Sequence, residues 1–353
     1  MNERKYYIDN LRILCILLLF PFHTMMIFNN LGEDFYVLGA PSELLTYLNI
    51  GTYAWWMTGL FVLAGMSTKY AIQHRSITQY CKERVHKLFI PFVAGLVLVV
   101  PMQTYLADRF HNGYQGNYFE HLIPFLKITD FSGYDGRFTP AHLWFALYLF
   151  IIAMVCVPLI AWYQTAKRKI NTRYLTMPVL LVLGVPVALA DSVLNIGGKS
   201  FAQFGLCFLL GYFIFSEEEV IMRLEQRCIP LGIAWVLLII SRCVIHTEGW
   251  TDSVWWGYTY RMLAWVGILA MLGLARRFLN HNWKFTKHFV KREFSFYIFH
   301  QTIIIMMGYV ILPRIHGVYL QYLLIMLSSF VITYMIYELA KRVPVLRYLF
   351  AIK

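Results

Sequence analysis

Apolar residues occur in long stretches along this chain, and short clusters of charged residues separate them. A helix of about 20 apolar residues crosses the roughly 30 Å hydrocarbon core of a bilayer. The pattern therefore predicts an all-α polytopic membrane protein with about ten transmembrane helices. The predicted spans are 11–30, 45–68, 88–106, 143–163, 174–190, 201–216, 229–246, 254–275, 294–312 and 318–340.

Composition agrees with this fold class. The chain is 59% hydrophobic and 14% charged, whereas soluble domains average about 25% charged residues. The net charge of +12 does not indicate nucleic-acid binding, because the basic residues lie in short segments between the apolar stretches. The six cysteines show no metal-ligand spacing, so we expect neither a disulfide framework nor a metal site.

The distribution of Lys and Arg predicts the orientation. Basic residues are concentrated in alternate connections such as 69–87, 167–173 and 276–292, and the other connections carry few. The positive-inside rule then places both termini in the cytoplasm and the long connection 107–141 outside. We expect a single transmembrane domain over 1–353, with no appended soluble domain and no cleaved signal peptide.

The first span carries ionisable residues where a simple anchor would have none. On an ideal helix Arg12 and His23 lie within roughly 20° of each other and about 16 Å apart along the axis, and Asp9 lies one turn before Arg12. A charged group at membrane depth costs about 2.5–3.5 kcal/mol. This polar stripe therefore indicates a functional helix face. Pro21 removes a backbone hydrogen bond just before His23.

A basic segment precedes the third span. It contains Lys82, Arg84, His86 and Lys87. Such a segment can clamp the phosphates of a cytoplasmic cofactor, or it can anchor the protein beside lipid headgroups. The residues alone leave both interpretations open.

The start of the ninth span is also polar, with Ser295, Tyr297, His300 and Gln301 within two turns. These side chains either line a polar channel at membrane depth or satisfy one another in the helix packing. The sequence does not decide between the two.

The outer side has further candidates for binding a polar substrate. His142 and Trp144 open the fourth span, and Arg242 and Arg261 lie in the outer parts of the seventh and eighth spans near several tryptophans. Aromatic faces with charged hydrogen-bond donors suit a sugar. An aromatic belt with snorkelling arginines is the simpler alternative.

Taken together, these motifs resemble those of acyltransferase family 3 membrane proteins, and within that family the group linked to succinylation of periplasmic glucans. The resemblance covers nearly the whole chain. It rests on Asp9-Asn-Leu-Arg12, Phe20-Pro-Phe-His23, Arg84-Val, Ile90-Pro91, His142-Leu-Trp-Phe145 and the ending Tyr337–Phe350, which occur in the family's order.

The resemblance implies an O-acyltransferase of the bacterial cytoplasmic (inner) membrane. Its donor would be a cytoplasmic acyl-CoA, acetyl-CoA or succinyl-CoA, and its acceptor a hydroxyl of an extracytoplasmic carbohydrate. The implied partners are thus acyl-CoA, the carbohydrate and the lipid bilayer, with no nucleic acid and no metal.

The family's functional positions suggest roles for these residues. His23 would be the general base or an acyl-carrying nucleophile. Arg12, partnered by Asp9, would orient the entrance of the first helix or bind a cofactor phosphate or carbonyl. His300 and Tyr297 would stabilise the oxyanion or relay a proton. The expected CoA-binding residues are Arg84, Lys87, Lys82 and His86, and the expected acceptor-binding residues are His142, Trp144, Arg242, Arg261, Ser295 and Gln301.

A second function class is a proton-coupled transporter or an exporter of a polar or glycan substrate, because ionisable residues at membrane depth serve transport equally well. Transporters tend to show paired broken helices at matching positions of two halves. The sequence shows no such pair, which favours the enzyme.

Overall fold

A computed structural model describes residues 4–166 and 170–352, and these residues are mainly helical. The basic residues Lys167, Arg168, Lys169 and Lys353, which contribute to the predicted orientation, lie outside the described residues. The α-helices are α1 (Tyr6–Leu17), α2 (Leu19–Met26), α3 (Glu43–Ile72), α4 (Ile77–Arg84), α5 (Ile90–Leu98), α6 (Val100–His111), α7 (Tyr118–Phe125), α8 (Trp144–Thr165), α9 (Met177–Val182), α10 (Gly184–Ala190), α11 (Phe201–Leu210), α12 (Glu218–Gln226), α13 (Cys228–Thr247), α14 (Val254–Phe278), α15 (Lys284–Phe289), α16 (Glu293–Ile311), α17 (Val318–Ala340) and α18 (Pro344–Leu349).

Strand structure in the described residues consists of one small hairpin. Its strands β1 (Asn195–Ile196) and β2 (Lys199–Ser200) are antiparallel, with Asn195 opposite Ser200. The two turn residues, Gly197 and Gly198, both have positive φ. Glycine favours this two-residue turn because it has no side chain to clash in the left-handed region.

Seven helical stretches in the described residues are long and apolar enough to cross a membrane. The fold class of a helical, multi-pass membrane protein is therefore confirmed, whereas the expected count of ten spans is not. Of the three remaining predicted spans, α3 is long but carries polar and small residues, and the other two are the shorter apolar helices Met177–Ala190 and Phe201–Phe215. The seven stretches are Tyr6–Met26, Ile77–His111, Ala141–Thr165, Cys228–Thr247, Val254–Phe278, Glu293–Ile311 and Val318–Ala340.

The first of these stretches is interrupted between α1 and α2, at Leu18. Pro21 has no N–H to donate to the carbonyl of Leu17, so the helical hydrogen-bond ladder lacks one bond here. The backbone of Leu18 keeps right-handed helical dihedral angles, and the ladder resumes where the N–H of Phe22 donates to its carbonyl. The sequence correctly predicts that Pro21 loosens the helix just before His23.

A π-helical turn, Val85–Phe89, lies directly before α5. Pro91, the second residue of α5, cannot donate to the carbonyl of Lys87. A wider turn relieves such a missing bond by inserting one extra residue into the helix. The basic segment therefore changes from regular α-helix at Lys82 and Arg84 to a π-helical turn at His86 and Lys87.

The chain divides into two compact units, each assembled from three segments. Unit 1 comprises Met1–Cys15, Ile50–Glu83 and Tyr148–Lys287, and unit 2 comprises Ile16–Asn49, Arg84–Leu147 and His288–Lys353. The expectation of a single domain over 1–353 stays a prediction.

Buried polar contacts hold the first turns of α1 within unit 1. The side-chain amide of Asn10 donates to the carbonyls of Leu279 and His281. Glu218 accepts from both Lys5 and Arg276. The buried Asn10 amide is thus paired, and the partly exposed charged groups are paired with opposite charges.

Close helix packing in unit 1 depends on two glycines. A Cβ at Gly65 of α3 would overlap the carbonyl oxygen of Phe208, and one at Gly211 would overlap the carbonyl oxygen of Val62. The two helix backbones therefore touch at this point, as in the small-residue contacts of membrane helices.

In unit 2, α16 is the central helix. It packs against α2, α6 and α17, and most of its side chains are buried. Phe20, Phe296 and Phe330 meet here, with ring centroids 5.3–6.0 Å apart. A helix that is buried all round needs partners for its polar side chains from its neighbours.

The connection between α6 and α8 carries α7, whose first turn is closed by a capping box of Asn117 and Glu120. The His121 ring is fully buried between Thr104 and Asp108 of α6, with its Nε2 3.3 Å from Thr104 Oγ1 and its Nδ1 3.5 Å from an Asp108 oxygen. Burial lowers the pKa of His121, and the carboxylate of Asp108 partly offsets this.

We expect Gly65→Ala and Gly211→Ala to destabilise the protein by at least about 1–3 kcal/mol, because the added methyl group must push two helix backbones apart. The thermal unfolding midpoint of the purified protein in detergent measures this effect. Gly205→Ala in α11 is the matched control: its Cβ would meet no atom within 4 Å, and alanine favours a helix interior over glycine. Equal midpoints for all three variants would contradict the close packing.

Candidate active site

Unit 2 brings three histidine rings together. His23 lies on α2, His142 lies in the short 3-10 turn Ala141–Leu143 before α8, and His300 lies on α16. The ring centroid of His300 is 5.1 Å from that of His23 and 4.9 Å from that of His142. His300 is thus the central member of the cluster.

The hydrogen bonds define which nitrogen of His300 carries the proton. Its Nδ1 lies 2.7 Å from the carbonyl oxygen of Tyr297, and a carbonyl oxygen can only accept, so Nδ1 carries the hydrogen. In the neutral ring Nε2 therefore holds a lone pair. Nε2 is buried and has no hydrogen-bond partner. A buried base with a free lone pair is suited to accept a proton.

His142 has the opposite tautomer, and both of its nitrogens are engaged. Its Nε2–H donates to the carbonyl of Ile298 at 2.8 Å, and its Nδ1 accepts from the side-chain amide of Gln103 at 3.3 Å. Both nitrogens of His142 are therefore engaged by protein groups, and its ring packs edge-on against that of His300.

Gln103 of α6 organises the polar side chains of α16 and was not predicted from the sequence. Its amide NH₂ donates to Thr302 Oγ1 at 2.7 Å as well as to His142, and its carbonyl oxygen accepts from Gln301 at 3.0 Å. Thr302 in turn donates to the carbonyl of Val99. Gln103 is fully buried, so every donor and acceptor of this network has to find a partner inside the protein.

Tyr297 connects α16 to the start of α8. Its hydroxyl donates to the carbonyl of His142 at 2.8 Å and accepts from the N–H of Ala146 at 3.2 Å. The hydroxyl is thus already used, and Tyr297 fixes the position of the cluster. Ser295, two residues earlier on α16, is also buried.

His23 is the member of the cluster that is partly exposed. Its Nδ1 is buried without a hydrogen-bond partner, and its ring stacks on Phe35 with centroids 6.1 Å apart and an interplanar angle of 16°. His23 is therefore the most exposed ring of the cluster, whereas the neighbouring His300 is fully buried.

Asp9 and Arg12 lie in unit 1 and form the ion pair that the sequence predicts. The Arg12 guanidinium is 3.0 Å from one carboxylate oxygen of Asp9, and Arg4 contacts the other at 2.6 Å. Asp9 is therefore shared between two arginines.

Of the expected phosphate-binding residues, Arg84, His86 and Lys87 belong to unit 2 and Lys82 to unit 1. Lys82 is exposed and the other three are half-buried. The ring of His86 packs edge-on against Tyr348 of α18, with centroids 5.0 Å apart. The C-terminal helix thus lies beside this basic segment.

Arg242 and Arg261, which the sequence predicts on the outer side, both have partners within unit 1. Arg242 is buried over the Trp256 ring at 3.6 Å and donates to the carbonyl of Trp256, while Arg261 pairs with Asp191 at 3.3 Å. Both contacts stabilise the packing of their own helices. Trp144, at the start of α8, is half-buried.

Comparisons with known proteins agree on one family. The family model described as "Acyltransferase domain" of the acyltransferase 3 type matches residues 5–338. Proteins named "Glucans biosynthesis protein C" from Salmonella heidelberg (strain SL476), Salmonella typhi and Salmonella typhimurium (strain LT2) are each 24% identical to the chain, with alignments that cover 99% of this chain and 94% of theirs. No solved structure gives a match.

We expect Gln103→Leu to lower the free energy of unfolding, because it leaves His142 Nδ1 and the amide of Gln301 without their partner at nearly unchanged volume. Each orphaned buried group costs about 1–3 kcal/mol. Chemical or thermal unfolding of the purified protein measures the loss. Gln115→Leu is the control, since Gln115 is exposed. An unchanged midpoint for Gln103→Leu would show that the network is not a stability determinant.

Proposed function

The chain belongs to acyltransferase family 3, and from this premise we propose that it is a membrane O-acyltransferase that transfers an acetyl or succinyl group from cytoplasmic acyl-CoA to a hydroxyl of an extracytoplasmic carbohydrate. A glucan or another envelope polysaccharide is the acceptor class that we favour, since the relatives are named for glucan biosynthesis.

The observation that carries the proposal is the pair of His23 and His300. Acyl transfer from a thioester to an alcohol needs a group that removes the hydroxyl proton. His23 is partly exposed and His300 Nε2 keeps a free lone pair behind it. The pair combines a base that substrate can reach with an interior proton acceptor.

In the proposed reaction His23 removes the proton of the acceptor hydroxyl as its oxygen attacks the thioester carbonyl. The tetrahedral intermediate collapses with cleavage of the C–S bond, and the proton leaves with the CoA thiol. His300 exchanges this proton with His23. In the tautomer inferred from the contact of Nδ1 with the Tyr297 carbonyl, Nε2 accepts but does not donate, so proton relay suits His300 better than oxyanion stabilisation.

A covalent route uses the same residues. His23 would attack the thioester and carry the acyl group as an acyl-imidazole, which the acceptor hydroxyl then attacks. Both routes require His23 and a proton acceptor next to it.

The basic segment supports the choice of acyl-CoA as donor. Arg84, His86 and Lys87 lie together at the π-helical turn, and Lys82 precedes them. Guanidinium and ammonium groups at this spacing suit the phosphates of CoA. We propose that this segment faces the cytoplasm, with both termini on the same side of the bacterial inner membrane.

The hydrogen bonds and the ion pair of five predicted residues favour positioning roles for them. Tyr297, His142 and Gln301 hold the cluster in place through their hydrogen bonds. Asp9 with Arg12 forms a fixed ion pair at the start of α1. We assign positioning roles to these residues and leave acceptor binding to groups that substrate can reach.

We expect His23→Ala and His300→Ala each to lower the turnover of acyl transfer by about 10²–10⁴-fold, the usual contribution of a general base. The measurement is CoA release together with acyl incorporation into glucan by protein reconstituted in vesicles with acyl-CoA. His281→Ala is the control, because His281 is exposed in unit 1.

Undiminished acylation in both variants would exclude the histidine pair as the catalytic site. Glycan movement across the membrane without acyl incorporation would instead support the transporter hypothesis.

A further inference from the structure

The short helix α7 has the reverse amphipathicity of a helix on a soluble protein surface. Its inner face carries His121 and Phe125, which are both buried. Its outer face carries Phe119 and Ile123, which are 78% and 71% exposed, and Leu126 at its C-terminal end is 75% exposed. At 100° per residue these three apolar side chains lie within about 60° of one another, opposite the buried pair.

The buried face fixes where α7 lies along α6. The ring of His121 sits between Thr104 and Asp108, in the last two turns of α6. At 1.5 Å per residue, Thr104 lies about 10 Å and Asp108 about 4 Å from the end of α6 at His111. Because α6 is the last part of the candidate membrane span Ile77–His111, α7 is held alongside the end of that span.

The depth of α7 determines whether its apolar stripe, formed by Phe119, Ile123 and Leu126, contacts lipid or water. Headgroups occupy roughly 5–8 Å on each side of the hydrocarbon core, so a helix beside the last two turns of a span lies at the boundary between headgroups and acyl chains. Phe110, in the last turn of α6, is exposed as well. The end of α6 and the outer face of α7 thus both expose apolar side chains.

We propose that α7 is an interfacial helix whose Phe119, Ile123 and Leu126 insert into the bilayer at the membrane surface. The occupant of the apolar face is lipid. Amphipathic helices of this kind bury their apolar side about 5–10 Å into the boundary of headgroups and acyl chains. The inference is independent of the proposed acyl transfer, and it ties the connection between α6 and α8 to the membrane surface.

Collision accessibility of a nitroxide label tests this proposal. Cys81 and Cys243 are partly exposed and would be replaced by Ser, whereas the other native cysteines are buried. A single cysteine is then introduced as Phe119→Cys or Ile123→Cys, labelled, and reconstituted into vesicles of phosphatidylethanolamine and phosphatidylglycerol. Gln115→Cys, on the exposed stretch before α7, is the control.

We expect the labels at 119 and 123 to collide several-fold more often with oxygen, which concentrates in lipid, than with a water-soluble nickel chelate, and the label at 115 to show the opposite ratio. A high nickel accessibility at 119 and 123 would place the stripe in water and overturn the proposal. Low accessibility to both reagents would show that protein, such as a second copy of the chain, covers the stripe, and would also overturn it. Two independent stripe positions protect the test against local misfolding of one variant.

Discussion

The structure of unit 2 depends on the requirement that buried amide groups be paired. Gln103 is fully enclosed among apolar helices, where an unpaired amide would be costly, and its three hydrogen bonds reach Gln301, Thr302 and His142. These contacts hold α6, α16 and the start of α8 in one arrangement. Gln103 and the carbonyl of Ile298 together hold the His142 ring, against which His300 packs.

The requirement that buried polar groups form hydrogen bonds also distinguishes the positioning residues from the residues that we propose to react. His142, Tyr297 and Gln301 have used their hydrogen-bonding groups on the protein, whereas His300 Nε2 and His23 Nδ1 have not. In an interior where nearly all polar groups are satisfied, an orphaned imidazole nitrogen is the group free to act on a substrate. The catalytic roles that we propose are therefore assigned to His23 and His300, and a positioning role to His142.

Local features were predictable from the sequence because helix geometry determines them. The Asp9–Arg12 pair follows from a spacing of three residues, and the loosening before His23 follows from Pro21. The meeting of His142 with His300 was not predictable, since more than 150 residues separate them and only the fold brings them together. The sequence did not indicate a role for Gln103, because a single amide in a helix of apolar and polar residues forms no periodic pattern. The structure has seven candidate spans in its described residues, whereas the sequence predicts about ten. The reason is that α3 contains many polar residues among its apolar ones, and two other predicted segments are short.

The π-helical turn Val85–Phe89 determines which side chains of the following helices α5 and α6 face a given direction. One extra residue turns everything downstream by about 100° relative to an uninterrupted α-helix. Gln103 lies on that downstream part, at the far end of the same candidate span. A natural deletion of one residue in this turn would rotate Gln103 away from His142 while leaving composition and hydropathy nearly unchanged. The length of the span is thus not sufficient to describe this segment. The rotation of its helix faces also has to be preserved.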